Sequence, residues 1–188
     1  DAPVTKNVDL EAKWTPKDYT VTFDTNGGSK NPDSQTVEYS EKATEPTKPT
    51  KPGNTFDGWY DGDTKYDFNT PVTEDKNLVA HWTENDYKVT FDTMGGSKNP
   101  DDQTKKYNET ADKPVNPTKE GCTFDDWYIK GTNTKYDFSS PITANVDLEA
   151  HWNTNEYKVT FDTNGGSKNP ADQTVEYSEK ATEPTKPT

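Results

Sequence analysis

Apolar and polar residues alternate along this chain in short bursts separated by turn-forming clusters. Tyr19, Val21 and Phe23 alternate with Thr20, Thr22 and Asp24, a period of two in β-branched and aromatic residues that predicts a half-buried strand. Asn26-Gly27-Gly28 ends it, permits positive φ and, with Asn31-Pro32 beyond, leads towards a hairpin partner. That partner is expected from Gln35 to Ser40, with Tyr39 inward: a later copy has Lys105 where Val37 stands but keeps Tyr107, which points to the tyrosine side as the packing side. Pro46, Pro49 and Pro52 follow at every third position; they fix φ and remove amide donors, so an extended crossover is predicted in place of a helix. A third strand is expected from Thr55 to Tyr60 with Phe56, Trp59 and Tyr60. A short Lys65–Phe68 segment and a last strand alternating Leu78, Ala80 and Trp82 complete the pattern.

The whole pattern returns. Tyr19-Thr-Val-Thr-Phe-Asp-Thr-Asn-Gly-Gly recurs from Tyr87 and again from Tyr157, offsets of about 68 and 70 residues. Thr55–Tyr60 recurs as Thr123–Tyr128, and the last strand recurs ending at Trp152; Pro3–Trp14 matches Pro141–Trp152. The expected organisation is therefore the tail of a preceding repeat over 1–16, complete repeats over 19–84 and 87–154, and the first half of another over 157–188. Asp1 falls inside a repeat, so the chain reads as a segment of a longer protein. The extra length of the second copy falls between Tyr128 and Lys135, which marks an exposed turn.

Composition narrows the function classes. Only 26% of residues are hydrophobic, yet 12% are aromatic, so the chain is expected to fold around several small aromatic cores. A unit this short is marginal alone, which gives contacts between neighbouring repeats a role in stability. The formal charge of -13, with no Arg anywhere, leaves no basic face for a phosphate backbone; no nucleic-acid partner is expected. No apolar run is long enough to cross a bilayer, so no membrane insertion is expected of this segment. The single cysteine, Cys122, excludes an internal disulfide.

Val-Thr-Phe-Asp-Thr-Asn-Gly-Gly, the Pro-Thr-Lys-Pro run, Thr-Phe-Asp-Gly-Trp-Tyr and Leu-Val-Ala-His-Trp, in that order, resemble the Listeria–Bacteroides repeat, also called the internalin B-repeat. The resemblance spans essentially the whole chain. It implies a β-grasp-like (ubiquitin-like) fold, α+β by family where the residues themselves read as mostly β. It further implies secreted, often wall-anchored bacterial proteins, and hence an extracellular, cell-surface location. The sequence departs from the family pattern at Asp126, where the first copy has Gly58, and at Cys122 and Asn54.

No catalytic constellation is read here, and no cofactor or metal is assigned. His81 and His151 each precede a Trp in equivalent strands, and Lys13 holds the same position in the leading fragment, so they read as strand-face residues and not as zinc ligands. Asp24-Thr-Asn-Gly27 and Asp61-Gly-Asp63 lack the extended oxygen series of a calcium loop and read as turns. A non-enzymatic spacer or stalk carrying a distal domain is the expected function. The alternative is an adhesin-type module that binds a host protein or glycan through exposed aromatics: Trp59 and Trp127, whose alternation sets them opposite Phe56 and Tyr60, with Tyr60 and Tyr128 as further ligand or inter-repeat contacts. Incomplete terminal repeats could also pair with another chain.

Overall fold

A computed structural model describes residues 3–186. The chain divides into two compact units, one ending at Glu84 and the other beginning at Asn85. Every regular element among the described residues is a strand.

The first unit holds one five-stranded sheet: β1 (Asp18–Asp24), β2 (Gln35–Glu38), β3 (Asn54–Asp61), β4 (Thr64–Lys65) and β5 (Lys76–Glu84), in the order β2-β1-β5-β3-β4. β1 and β2 form the expected antiparallel hairpin, and β1 runs parallel to β5, with Phe23 opposite Leu78. Alternation decides which face is buried. Val21 and Phe23 from β1, and Leu78 and Ala80 from β5, point to one side and are buried there. The covering layer is chain outside the regular strands: Ala43 from the crossover, Val72 ahead of β5, and the half-buried Tyr66 and Phe68. The proline-rich crossover forms no helix, as its composition requires.

The turn after β1 is held by side chains. Thr25, 3% exposed, donates from both its amide (2.9 Å) and its hydroxyl (2.7 Å) to Asn31 Oδ1. Thr93 with Asn99 and Thr163 with Asn169 repeat this. Gly28 is required where the loop returns: a Cβ there would lie 2.7 Å from Trp82 Cζ2 and 3.1 Å from the Thr25 and Thr50 carbonyl oxygens.

The second unit repeats the design in a four-stranded sheet, β7-β6-β9-β8, from β6 (Asp86–Asp92), β7 (Gln103–Lys106), β8 (Cys122–Ile129) and β9 (Val146–Thr154). Val89, Phe91, Ala111, Trp127, Ile142, Leu148 and Ala150 occupy the equivalent buried positions. The inserted residues form an exposed turn closed by Ile129 N–H donating to Thr134 O at 2.9 Å. The same unit contains a further hairpin, β10 (Glu156–Val159) with β11 (Gln173–Glu176). Residues 3–17 carry no strand.

One expectation is corrected. Val37, not Tyr39, faces the core: Val37 is 7% exposed and Tyr39 54%. Lys105 fits the same inward position because only its tip is polar; its Nζ reaches Asp112 at 2.7 Å while the side chain stays 18% exposed.

Candidate functional site

β3 and β8 carry all four aromatics singled out from the sequence, and a bulge sorts them. The register of β3 against β5 shifts between Phe56 and Gly58, and that of β8 against β9 between Phe124 and Trp127. The extra residue resets the alternation. Phe56 and Trp59 therefore share the inner face, their rings 5.6 Å apart and edge-on, and Phe124 and Trp127 do likewise at 5.7 Å. Alternation alone set Trp59 and Trp127 opposite the phenylalanines, and the adhesin-type alternative needed them exposed; they are 1% and 0% exposed. Each ring also meets the phenylalanine of the first strand edge-on, Phe23 at 5.1 Å and Phe91 at 5.2 Å. Their indole nitrogens donate to no partner, so they contribute apolar contact and ring geometry to the core.

Tyr60 and Tyr128, one residue on, point to the outer face. Tyr60 lies flat on His81, ring centroids 3.9 Å apart and planes 7° from parallel. Tyr128 repeats this on His151 at 3.8 Å and 12°. The histidines are strand-face residues as expected, half-buried under their tyrosines. Around Tyr128 the surface is charged: its hydroxyl donates to Asp125 Oδ2 at 2.6 Å, and Lys135 lies 3.2 Å from Asp125 Oδ1 and 5.6 Å above the Tyr128 ring. The tyrosine hydroxyl and then the lysine ammonium hold the Asp125 carboxyl below its ordinary value, and the same bond pushes the phenol up.

A cleft of about 240 Å³ opens beside Trp59, bordered by Glu45, Lys48, Gly58 and Tyr66. Gly58 allows Lys65 to cross it: a Cβ would lie 2.6 Å from Lys65 Cε, and Lys65 Nζ donates to the Asp57 carbonyl at 2.6 Å. In the second repeat Glu45 and Gly58 become Lys113 and Asp126, which close on each other at 3.0 Å. Burial pushes the Asp126 carboxyl up, but Lys113 and the Trp127 amide outweigh it and hold the group below its ordinary value. This departure at Asp126 thus places an ion pair where the first repeat has Glu45 and Gly58.

Each candidate cation turn has a carboxylate engaged within the protein. Asp24 Oδ1 accepts the Asn26 amide at 2.9 Å, as in an Asx turn, and Met94, at φ 51°, takes the place of Asn26 at φ 49°. Asp61 accepts Lys76 Nζ at 2.7 Å. Among the described residues, no three His, Cys, Asp or Glu side chains converge on a point that could hold a metal ion. Among the same residues no helix is long and apolar enough to cross a membrane.

Sequence reasoning missed the contact around Asn155, where the second repeat meets the third hairpin. Asn155 N–H donates to Gly121 O at 2.8 Å, and Tyr177 N–H donates to Asn155 O at 2.8 Å. Thr123 Oγ1 donates to Asn155 Oδ1 at 2.6 Å, and the Tyr177 hydroxyl to Glu120 Oε1 at 2.5 Å. The readable signal was a Gly before the third strand in every full copy, Gly53 and Gly121, alongside the recurring Tyr39, Tyr107 and Tyr177.

Comparison with known proteins gives this arrangement a family. The chain is 37% identical to a putative Gly-rich membrane protein of Evansella cellulosilytica over 98% of its own length and 22% of that protein. It is 39% identical to a putative membrane protein of the same organism, over 95% of the chain and 27% of the relative. It is 41% identical to internalin H of Listeria monocytogenes, over 73% of the chain and 26% of the relative. The chain thus spans about a quarter of the length of each of these relatives. No solved structure gives a significant match. The model of the Listeria-Bacteroides repeat domain matches residues 19–81, 87–151 and 157–188, and the chain belongs to that repeat family.

Proposed function

We propose that this chain is a non-enzymatic repeat region of a bacterial surface protein and serves as a spacer that carries another part of that protein away from the cell. The observation that carries this reading is the duplicate use of the same positions. Both complete repeats spend their large aromatics, Trp59 with Phe56 and Trp127 with Phe124, on their own cores. Modules that differ at their surfaces but agree in their cores are what an array selected for length requires. The names of the relatives, an internalin and two putative membrane proteins, support a location at the cell surface, in a secreted or wall-anchored protein. The repeat boundaries are drawn at 19–84 and 87–154. Each is organised in a β-grasp-like manner, a hairpin followed by a crossover and a parallel return beside the first strand, with chain outside the regular strands doing the covering. The experiment is replacement: exchanging the repeats in the full-length surface protein for unrelated folded modules of equal length should preserve presentation of the distal part, whereas deletion should abolish it. Loss of presentation after an equal-length exchange contradicts the spacer role.

Adhesion is the second reading, and one observation favours it: the stacked pairs Tyr60–His81 and Tyr128–His151 recur on the outer face. An aromatic platform of that kind suits a glycan ring or a host-protein side chain. Binding that Tyr60→Ala with Tyr128→Ala removes while the fold persists would establish it, and a screen of mammalian glycans and surface proteins that finds no binding would remove it.

A further inference from the structure

We propose that the second repeat is fastened to the hairpin that follows it by a tyrosine-on-glycine seam, so that the hairpin of β10 and β11 is an interaction surface for the edge of the repeat before it. The partner is the next repeat of the same chain, and the contact does not depend on the spacer role.

The seam is built from three segments of the second unit. The first is the turn before β8. Gly121 sits at φ 67°, and a Cβ on it would lie 1.9 to 2.4 Å from the carbons of the Tyr177 ring. No side chain fits between that backbone and the ring, so only glycine permits the contact. The second is the linker residue Asn155, bonded through its amide to Gly121 O and through its side chain to Thr123, both in the preceding repeat. The third is Tyr177, whose amide takes the Asn155 carbonyl and whose hydroxyl reaches Glu120. One residue is thus gripped from both sides while an aromatic ring covers the backbone beneath it.

The other hairpins show what the seam adds. In the complete repeats the residue after the tyrosine is bonded within its own repeat: Ser40 N–H to Val72 O at 2.9 Å and Asn108 N–H to Ile142 O at 2.9 Å. In the third hairpin β10 and β11 are paired in register, and Tyr177 is half-buried against the turn before β8 of the second repeat. Tyr39, preceded by residues without strand structure, is 54% exposed.

The consequence is coupling. A joint with backbone bonds on both sides of Asn155 does not swivel as a flexible linker does, and ordering of the second repeat supports that of the hairpin that follows. The test is residual dipolar couplings on the whole 188-residue chain, comparing amides of β10 and β11 with those of β8 and β9. In the unaltered chain both sets should fit one alignment tensor. Gly121→Ala should free the hairpin, reducing its couplings towards zero while those of β8 and β9 persist. Gly131→Ala is the control: Gly131 shares the positive φ, at 73°, but has nothing within 4 Å of its added Cβ, so the hairpin should stay fixed. Tyr177→Phe, which keeps the ring and loses only the Glu120 bond, should leave most of the alignment. Independent alignment in the unaltered chain, or a Gly121→Ala hairpin that behaves like the Gly131→Ala one, overturns the seam.

Discussion

Replacing Trp59 with Ala separates a core residue from an adhesive one. Trp59 is 1% exposed and touches Phe23 and Phe56 edge-on, so removing the indole leaves a cavity in the core of the first unit. Truncation of a buried Trp costs about 3–5 kcal/mol. A repeat of roughly 70 residues is expected to have only about 3.5–10 kcal/mol of stability. The loss is therefore a third of the total or more, and at about 4–8 °C per kcal/mol the midpoint should fall by roughly 12–40 °C. Thermal unfolding followed by the NMR signals of Val21 and Leu78 reads the first repeat directly. Trp59→Phe should cost clearly less, because the indole nitrogen has no partner to lose. A Trp59→Ala change of less than about 1 kcal/mol, the size expected of a surface substitution, would refute the reasoning.

Three further outcomes follow from the same geometry. Gly96→Ala should destabilise the second repeat by about 1–3 kcal/mol in denaturant titration, since its Cβ would meet Trp152 Cζ2 at 2.7 Å and the Thr118 carbonyl oxygen at 3.0 Å. Met94→Asn should stabilise it by roughly 0.5–1 kcal/mol in the same titration, because Asn tolerates left-handed backbone better than Met and the first repeat uses Asn26 there. The second repeat should also weaken in acid. Asp125 and Asp126 are held below their ordinary 3.8 in the fold, so what they contribute is complete above that value and is lost as pH falls below it and through their lower folded values. Calorimetry across that window should show the midpoint dropping, and Asp126→Gly should flatten the drop.

The strands were legible because a period of two is local. Tyr19, Val21 and Phe23 need only their neighbours to announce a strand, and the prolines of the crossover exclude a helix in the same way. The face of Trp59 was not legible, since it depends on a bulge whose cause, a shift of β3 against β5, lies in a strand more than twenty residues away. The orientation of Val37 was misread for a chemical reason: Lys105 looks polar by type but buries an apolar stem. The grip of Thr25 on Asn31 and the seam at Asn155 are side-chain and backbone hydrogen bonds between loops. Such contacts leave no periodicity, and only the recurrence of Gly and Tyr hints at them.

The central claim is that the repeats form a spacer of successive folded modules, and small-angle scattering of the chain tests it most directly. A single compact body of this length would have a radius of gyration of about 16 Å and an unfolded chain about 46 Å. The account predicts a value well above the first and well below the second, with a scattering profile of folded modules. A radius near that of the single compact body would contradict it.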